Sequence, residues 1–410
     1  MNGRTVRKNV AVGILILATV FALGGCAADS GKGGWKNLYN DKKLVGFRQL
    51  GGNAVYSVSD GIITGRSVKG TPNSFLCTKK NYGDFELEFD VKVDERLNSG
   101  VQIRSQSTAS YKNGRVHGYQ VEIDPSNRAW SGGIYDEARR EWLDDLKDNE
   151  PARKAFVNGQ WNHYRVLAVG DSIKTWVNGV AAADLVDSMD STGFIGLQVH
   201  STKSEQPSMV QWRNLRIKDL GEQVWRPLFD GRSLKGWHSL PGGKWVVVDG
   251  VIVGTSDKEE PRHGLLVSDD VFDDFTIRLK FKAIEGNSGF YFRCDEVKGI
   301  VGVHGFQAEI ATSEDIGGLY ETGGRAWVIK PTHEQVAKYF KPQQWNQMTV
   351  SAHGRRIVVH VNGTKTAELK NDPGRLKGRL ALQLHGSKQM HVMFKDVEIL
   401  LPKRGAAERL

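Results

Sequence analysis

Two heptapeptides carry the richest chemistry in this chain, His117-Gly-Tyr-Gln-Val-Glu-Ile123 and His304-Gly-Phe-Gln-Ala-Glu-Ile310. Alternate residues of a strand share a face. Gln120, Glu122 and Asp124 therefore point one way, and Tyr119, Val121 and Ile123 point the other. The second heptapeptide sets Gln307 and Glu309 against Phe306, Ala308 and Ile310. The same rule places Gln102 and Arg104 opposite Val101 and Ile103, and Tyr291 and Arg293 opposite Phe290 and Phe292. It also places Gln198 and His200 opposite Leu197 and Val199, and Gln383 and His385 opposite Leu382 and Leu384. Amides, carboxylates, guanidinium groups and imidazoles then form one row. Such a row suits hydrogen bonding to a hydroxyl-rich ligand, and imidazole is a side chain suited to proton transfer. Outer faces of antiparallel sheets are often polar, but here the same set occurs twice.

Two loops are expected to roof these faces. Tyr135-Asp-Glu-Ala-Arg-Arg140 and Tyr320-Glu-Thr-Gly-Gly-Arg325 each bring an aromatic ring, an acid and an arginine together. Tyr135, Glu137 and Arg140, and Tyr320, Glu321 and Arg325, are the candidate ligand contacts. Trp130, Trp142 and Trp327 lie close by in sequence and offer rings for stacking on sugar faces. The first copy holds more acid–base groups, in Asp124, Asp136 and Glu137, so it is the expected catalyst of the two.

Elements that could position these residues appear twice. Asn98-Ser-Gly-Val-Gln-Ile-Arg104 echoes Asn287-Ser-Gly-Phe-Tyr-Phe-Arg293, and Leu197-Gln-Val-His200 echoes Leu382-Gln-Leu-His385. The chain is a duplication, divided into 35–220 and 224–401, with a short joint between and a polar tail at 402–410. Phe85–Val93 and Phe275–Ala283 alternate strictly, as half-buried strands do. Val-Asn-Gly at 177–179 and 361–363 predicts type I′ hairpins. Thr332-His-Glu-Gln335 predicts a capping box, and Asn149 a cap for a matching short helix. Short strands and glycine-rich turns over each 180-residue unit predict an all-β protein of two tandem jelly-roll sandwiches.

Composition narrows the function. The 410 residues are 39% hydrophobic and 25% charged, a globular balance. The net charge of +9 is dispersed, with no basic run interleaved with aromatics, so nucleic acid is not an expected partner. Three cysteines exclude a disulfide-dense scaffold or a multi-cysteine metal cluster. Cys77 and Cys294 occupy non-equivalent positions in the two halves and are expected to be separate buried thiols. Phosphate loops, dinucleotide fingerprints, Gly-x-Ser-x-Gly elbows and His-Glu-x-x-His motifs are absent.

The N-terminus reads as an address. Arg4, Arg7 and Lys8 precede an apolar stretch from Val10 to Ala22 that is short for a membrane span. Leu23-Gly24-Gly25-Cys26 then resembles a bacterial lipoprotein box. That resemblance implies a signal peptide at 1–25, lipidation of Cys26, a flexible tether at 26–34 and anchoring to the cell-envelope membrane.

Taken together, the paired motifs resemble a bacterial family named for 3-keto-disaccharide hydrolysis, or 3-keto-glucoside lyase and hydratase activity. The resemblance rests on Asn-Ser-Gly-x-x-x-Arg, Gly-Tyr-Gln-x-Glu-Ile, Gly-Gly-Ile-Tyr-Asp-Glu, Trp-Asn-x-x-x-Val and Gly-Leu-Gln-x-His. It implies a concanavalin A-like jelly roll in each half and a keto-sugar glycoside as substrate. A ketone at C3 acidifies the hydrogen at C2, so one base can drive elimination of the C1 substituent, and water then adds back. His200 and His385 are the implied bases, with Glu122 and Glu309 competing for the role. Arg104 and Arg293 would hold the enolate oxygen, and Gln120, Asp124, Gln198, Gln307 and Gln383 would bind the sugar. No cofactor is required, and although Glu and His are suitable ligands for a divalent ion, no spacing here demands one. A lectin-like binding protein without turnover is the alternative.

Overall fold

The computed structural model describes Met1, Gly3, 34–40 and 42–402. The leader, Cys26, most of the tether and the tail from 403 lie outside the described residues. Each half is a sandwich of two antiparallel sheets, eight strands packed on seven. The cores are separate. One cluster runs from Phe47 to Ile217 and the other from Phe229 to Ile399.

Alternation explains the eight-stranded sheets. In Asp84–Val93, Phe85, Leu87, Phe89, Val91 and Val93 enter the core, while Glu86, Glu88 and Asp90 face outward. Those acids meet Arg165, Arg216 and Arg213 from neighbouring strands. The same arginines lie over Trp176, Trp35 and Trp161, at 4.3–4.9 Å from the ring centres. Several of the chain's tryptophans are thus occupied in covering the back sheet, remote from the polar row.

The seven-stranded sheets behave differently. In the first domain the strand order is Glu141–Asp144, Ile134–Glu137, Gly118–Ile123, Ser99–Ser105, Phe194–Val199, Ser74–Thr78, Phe47–Gly51. Every residue of Ser99–Ser105, Gly118–Ile123 and Phe194–Val199 is buried, on both faces. The polar face of this sheet is therefore not a solvated exterior. Gly100 allows it to pack, since a Cβ there would lie 2.5 Å from the Gln120 side chain. Gly289 is constrained in the same way by Gln307, at 2.4 Å.

Local expectations recur as drawn. Asn178 and Gly179, and Asn362 and Gly363, have positive φ in their hairpins. Thr332 and Gln335 form a reciprocal capping box, and Asn149 caps the short helix Glu150–Arg153. Cys77 and Cys294 are buried free thiols. No helix among the described residues is long and apolar enough to cross a membrane.

The two domains are joined by a polar interface. Asp171, which is buried, accepts from Thr276 Oγ1 at 2.6 Å and from Ser351, and lies 3.3 Å from His353 Nε2. Arg356 donates to Asp184 across the same junction.

Candidate active site

A cleft of about 910 Å³ opens on the polar face of the first domain. Gln120, Glu122, Asp124, Tyr135, Glu137, Gln198 and His200 all line it, as the alternation rule requires. Three strands of the sheet, Ile134–Glu137, Gly118–Ile123 and Phe194–Val199, and the segments that leave them supply these residues. Register pairs Gln102 with Gln120 and Gln120 with Tyr135 across adjacent strands.

A chain of oriented amides ends on Glu122. Ser105 Oγ donates to Gln102 Oε1 at 2.7 Å, and Gln102 Nε2 donates to Gln120 Oε1 at 2.6 Å. Gln120 Nε2 in turn donates to Glu122 Oε2 at 2.8 Å. Asn98 Nδ2 donates to Glu122 Oε1 at 2.7 Å. Burial nonetheless dominates and pushes the Glu122 carboxyl up to about 7, against the opposing pull of Asn98, Gln120 and Arg128. Asp124 goes the other way. Burial opposes its charge, but Ser126, Arg128 and the Trp130 N–H hold it below the usual carboxylate range. Neighbouring carboxyls driven apart in this way are the arrangement that separates a proton-transfer group from a permanently charged one.

Arg128 is the residue that sequence reasoning missed. Its Nε donates to Asp124 Oδ2 at 2.8 Å and its Nη2 lies 3.3 Å from Glu122 Oε1. Its guanidinium sits 5.1 Å from the Trp130 ring centre and 4.8 Å from that of Trp142. Tyr135 and Trp142 meet edge to face at 5.2 Å and form one aromatic wall. At the other side Glu137 is paired with Arg115 at 3.5 Å. Burial raises the Glu137 carboxyl, while Arg115, His200 and Asn73 oppose that rise.

Gln198 is anomalous. It is fully buried, and neither its Nε2 nor its Oε1 has a hydrogen-bond partner.

Several expected contacts are absent from the cleft. Arg104 and Arg293 do not meet the other residues. Both adopt φ of 48°, and the pairing of their strands slips there. A positive φ breaks the two-residue period and turns the side chain off the polar face. Arg104 instead donates to Gly83 O, Gly170 O and Asp84, and Arg293 to Asp273 O, Gly354 O, Arg375 O and Asp274.

Arg140 and Arg325 are also diverted. Arg140 is forked between Asp136 and Asp187, and its Nη1 reaches Gly363 O of the second domain at 3.1 Å. Arg325 repeats the clamp with Glu321 and Asp372. In each of them Nε, Nη1 and Nη2 are all bonded to carboxylates, so these arginines fasten the turns of two edge hairpins, Ile134–Asp144 and Leu319–Ile329, which extend the sheet where roofing loops were expected. Glu321 and Asp136 are consumed in the same clamps, and Asp136 is fully buried.

The second domain brings Gln307, Glu309, Gln383 and His385 onto its own polar face, but differs where the chemistry would lie. Glu309 receives Asn287 and Gln307, and burial pushes its carboxyl up to about 8. Ala311 stands where the first copy has Asp124, Thr322 replaces Glu137, and the shorter loop has no counterpart of Arg128. Tyr291 replaces Gln102. It packs with Leu265, Val267, Cys294, Val303 and Ala381, and its hydroxyl bonds Thr322 Oγ1 at 2.8 Å. Tyr320 and Trp327 keep their edge-to-face contact at 5.4 Å.

Among the described residues no group of three or more His, Cys, Asp or Glu side chains is placed to hold a metal ion.

The family model described as the 3-keto-alpha-glucoside-1,2-lyase-like domain matches twice, over 34–218 and 224–400. No curated protein matches the chain. A Parabacteroides distasonis protein provisionally assigned as a glycosyl hydrolase is 23% identical, with 46% of this chain and 94% of that one covered at a TM-score of 0.33. The carbohydrate-binding module CBM66 of Bacillus subtilis is 16% identical, covering 40% of this chain and 96% of its own at 0.32. A Bacillus subtilis protein of unknown function with a galectin-like fold is 12% identical, covering 44% and 100% at 0.32.

Proposed function

Because the chain belongs to the 3-keto-alpha-glucoside-1,2-lyase-like domain family, we propose that its first domain cleaves 3-keto-glycosides by elimination and rehydration. The observation that carries this is the pairing of Glu122 with Arg128 in the open cleft, a proton-transfer carboxyl set against a fixed cation.

The ketone at C3 acidifies the C2 hydrogen. Glu122, whose carboxyl burial pushes up to about 7, takes that proton in its ionised form. Negative charge moves onto the ketone oxygen, and the Arg128 guanidinium beside Glu122 stabilises it without reorganising. The electrons return to form the C1–C2 double bond as the bond from C1 to the aglycone oxygen breaks. The departing oxygen takes a proton from His200 or Glu137 at the far side of the cleft. Water then adds across the double bond, its hydroxyl to C1 and a proton to C2, giving the free 3-keto-sugar. Tyr135 and Trp142 provide the wall against which the ring packs.

Asp124 fixes Arg128 through its 2.8 Å bond and does not exchange protons itself. Chemistry is placed in the first copy because the second lacks Asp124, Glu137 and Arg128. The leader and Cys26 support an envelope-anchored location for the enzyme.

Incubating the protein with a 3-keto-α-glucoside and with the unoxidised α-glucoside tests this reading. Aglycone release from the ketone alone is the expected result. Release from neither, or equally from both, would refute it.

A further inference from the structure

Both polar atoms of the Gln198 side chain are buried at the floor of the cleft without a partner. A buried polar group that makes no hydrogen bond is destabilising, because it has given up its water for nothing. The second domain meets the same problem at Gln383 and solves it internally. Gln383 Nε2 lies 2.8 Å from His263 Nδ1 and 3.4 Å from the Tyr291 hydroxyl. Its Oε1 accepts from Gln307 Nε2 at 3.2 Å. In the first domain Asn73 and Gln102 stand where His263 and Tyr291 stand in the second. Gln102 is engaged with Gln120 and Ser105. Gln120 in turn directs its Nε2 to Glu122. Asn73 Oδ1 accepts from the Ser201 N–H at 2.9 Å, and among the described residues neither polar atom of the Gln198 side chain has a partner.

The geometry points to Gln198 as the residue that selects the substrate, by bonding two oxygens on adjacent carbons of the sugar ring, the C3 ketone and the C4 hydroxyl. Its Nε2–H donates to the ketone and its Oε1 accepts from the hydroxyl. A primary amide presents one donor and one acceptor side by side, which is the complement of that pair. The inference rests on the keto-glycoside reading of this cleft. It adds that the second copy, with its amide already satisfied and its floor filled by Tyr291, does not take the sugar. A site built to bond a substrate oxygen rejects the analogue that lacks it, because the protein group is then stranded.

Binding can be measured apart from turnover with a 3-keto C-glucoside, whose C1–C bond cannot be eliminated, and with its 4-deoxy analogue. Calorimetric titration of the protein should show the 4-deoxy compound bound about tenfold more weakly, the equivalent of about 1.4 kcal/mol. Gln198→Met keeps the volume and removes the stranded amide, so it should fold at least as stably as the parent. It should bind the keto C-glucoside about tenfold or more weakly and no longer distinguish the 4-deoxy analogue. Asn73→His with Gln102→Tyr, which supplies Gln198 with the second domain's partners, should abolish binding. Unchanged affinity in Gln198→Met, discrimination that survives it, or no binding by the parent protein would each overturn the assignment. Binding with these properties, but without aglycone release from the O-glycoside, would leave the assignment standing and refute the elimination chemistry.

Discussion

Arg128 Nη2 lies 3.3 Å from Glu122 Oε1 in the cleft of the first domain. In the proposed mechanism this contact joins the base to the cation that receives the resulting anion. Arg128→Ala should lower kcat about 10²–10³-fold, the usual scale for losing one preorganised oxyanion partner. Arg128 also holds the Glu122 carboxyl down, so its removal should move the rising limb of the pH–rate profile to higher pH. A limb that stays in place while kcat falls would separate Arg128 from Glu122.

Glu122→Gln should reduce turnover about 10²-fold or more, with circular dichroism unchanged. In the parent protein activity should rise with pH through about 7, since the base works when ionised. A profile flat from pH 5 to 9 would assign the proton transfer elsewhere.

The same carboxyls predict a stability trend. Glu122 and Glu309 titrate near 7 and 8 in the fold, well above an ordinary glutamate at about 4.5. The folded state therefore holds these protons more tightly than the unfolded chain. Their contribution is full below about pH 4.5 and is lost as pH rises through 7 and 8. For Glu122 the difference is on the order of 3 kcal/mol. Denaturant midpoints should fall between pH 5 and 8.5, and Glu122→Gln should flatten that fall.

Arg104 has a structural role by this account. Arg104→Leu leaves Asp84 and two backbone carbonyls without their buried cation. Its unfolding free energy should drop by about 3–5 kcal/mol. Loss of activity with unchanged stability would return Arg104 to the substrate.

Residues 34–221 and 224–402, expressed separately, should each fold, because the two cores share no members. The interface is lost on separation, and with it the pairing of Asp171 with His353. Burial lowers the His353 pKa, but Asp171 more than compensates and raises it overall. Its stabilising effect is thus present below about pH 6.5 and fades as pH climbs through the raised value. His353→Ala in the intact chain should accordingly cost most stability at pH 5–6 and least at pH 9, as read by thermal melts.

What could be read in advance followed local rules. Glu122 and Gln198 were placed by a two-residue period that their strands obey, and the Asn-Gly turns and the Thr332 cap by backbone chemistry. Arg104 obeys no such period, because its positive φ is imposed by tertiary partners that the strand pattern does not display. Arg140 and Arg325 satisfy acids 47 residues downstream, Asp187 and Asp372. A loop considered alone shows such arginines as available. Arg128 sits in the stretch where the two copies differ in length, so matching the halves passed over it. The difference itself, Asp124-x-x-x-Arg128-x-Trp130 against Ala311 and a shorter turn, was the signal.

Cleavage of a 3-keto-α-glucoside in deuterium oxide tests the central claim most directly. Elimination and rehydration remove the C2 hydrogen and return a proton from solvent, so the 3-keto-sugar isolated at short times should carry deuterium at C2. Substrate deuterated at C2 should also be cleaved more slowly. Release of the aglycone with the original C2 hydrogen retained would contradict the account and indicate direct displacement at C1.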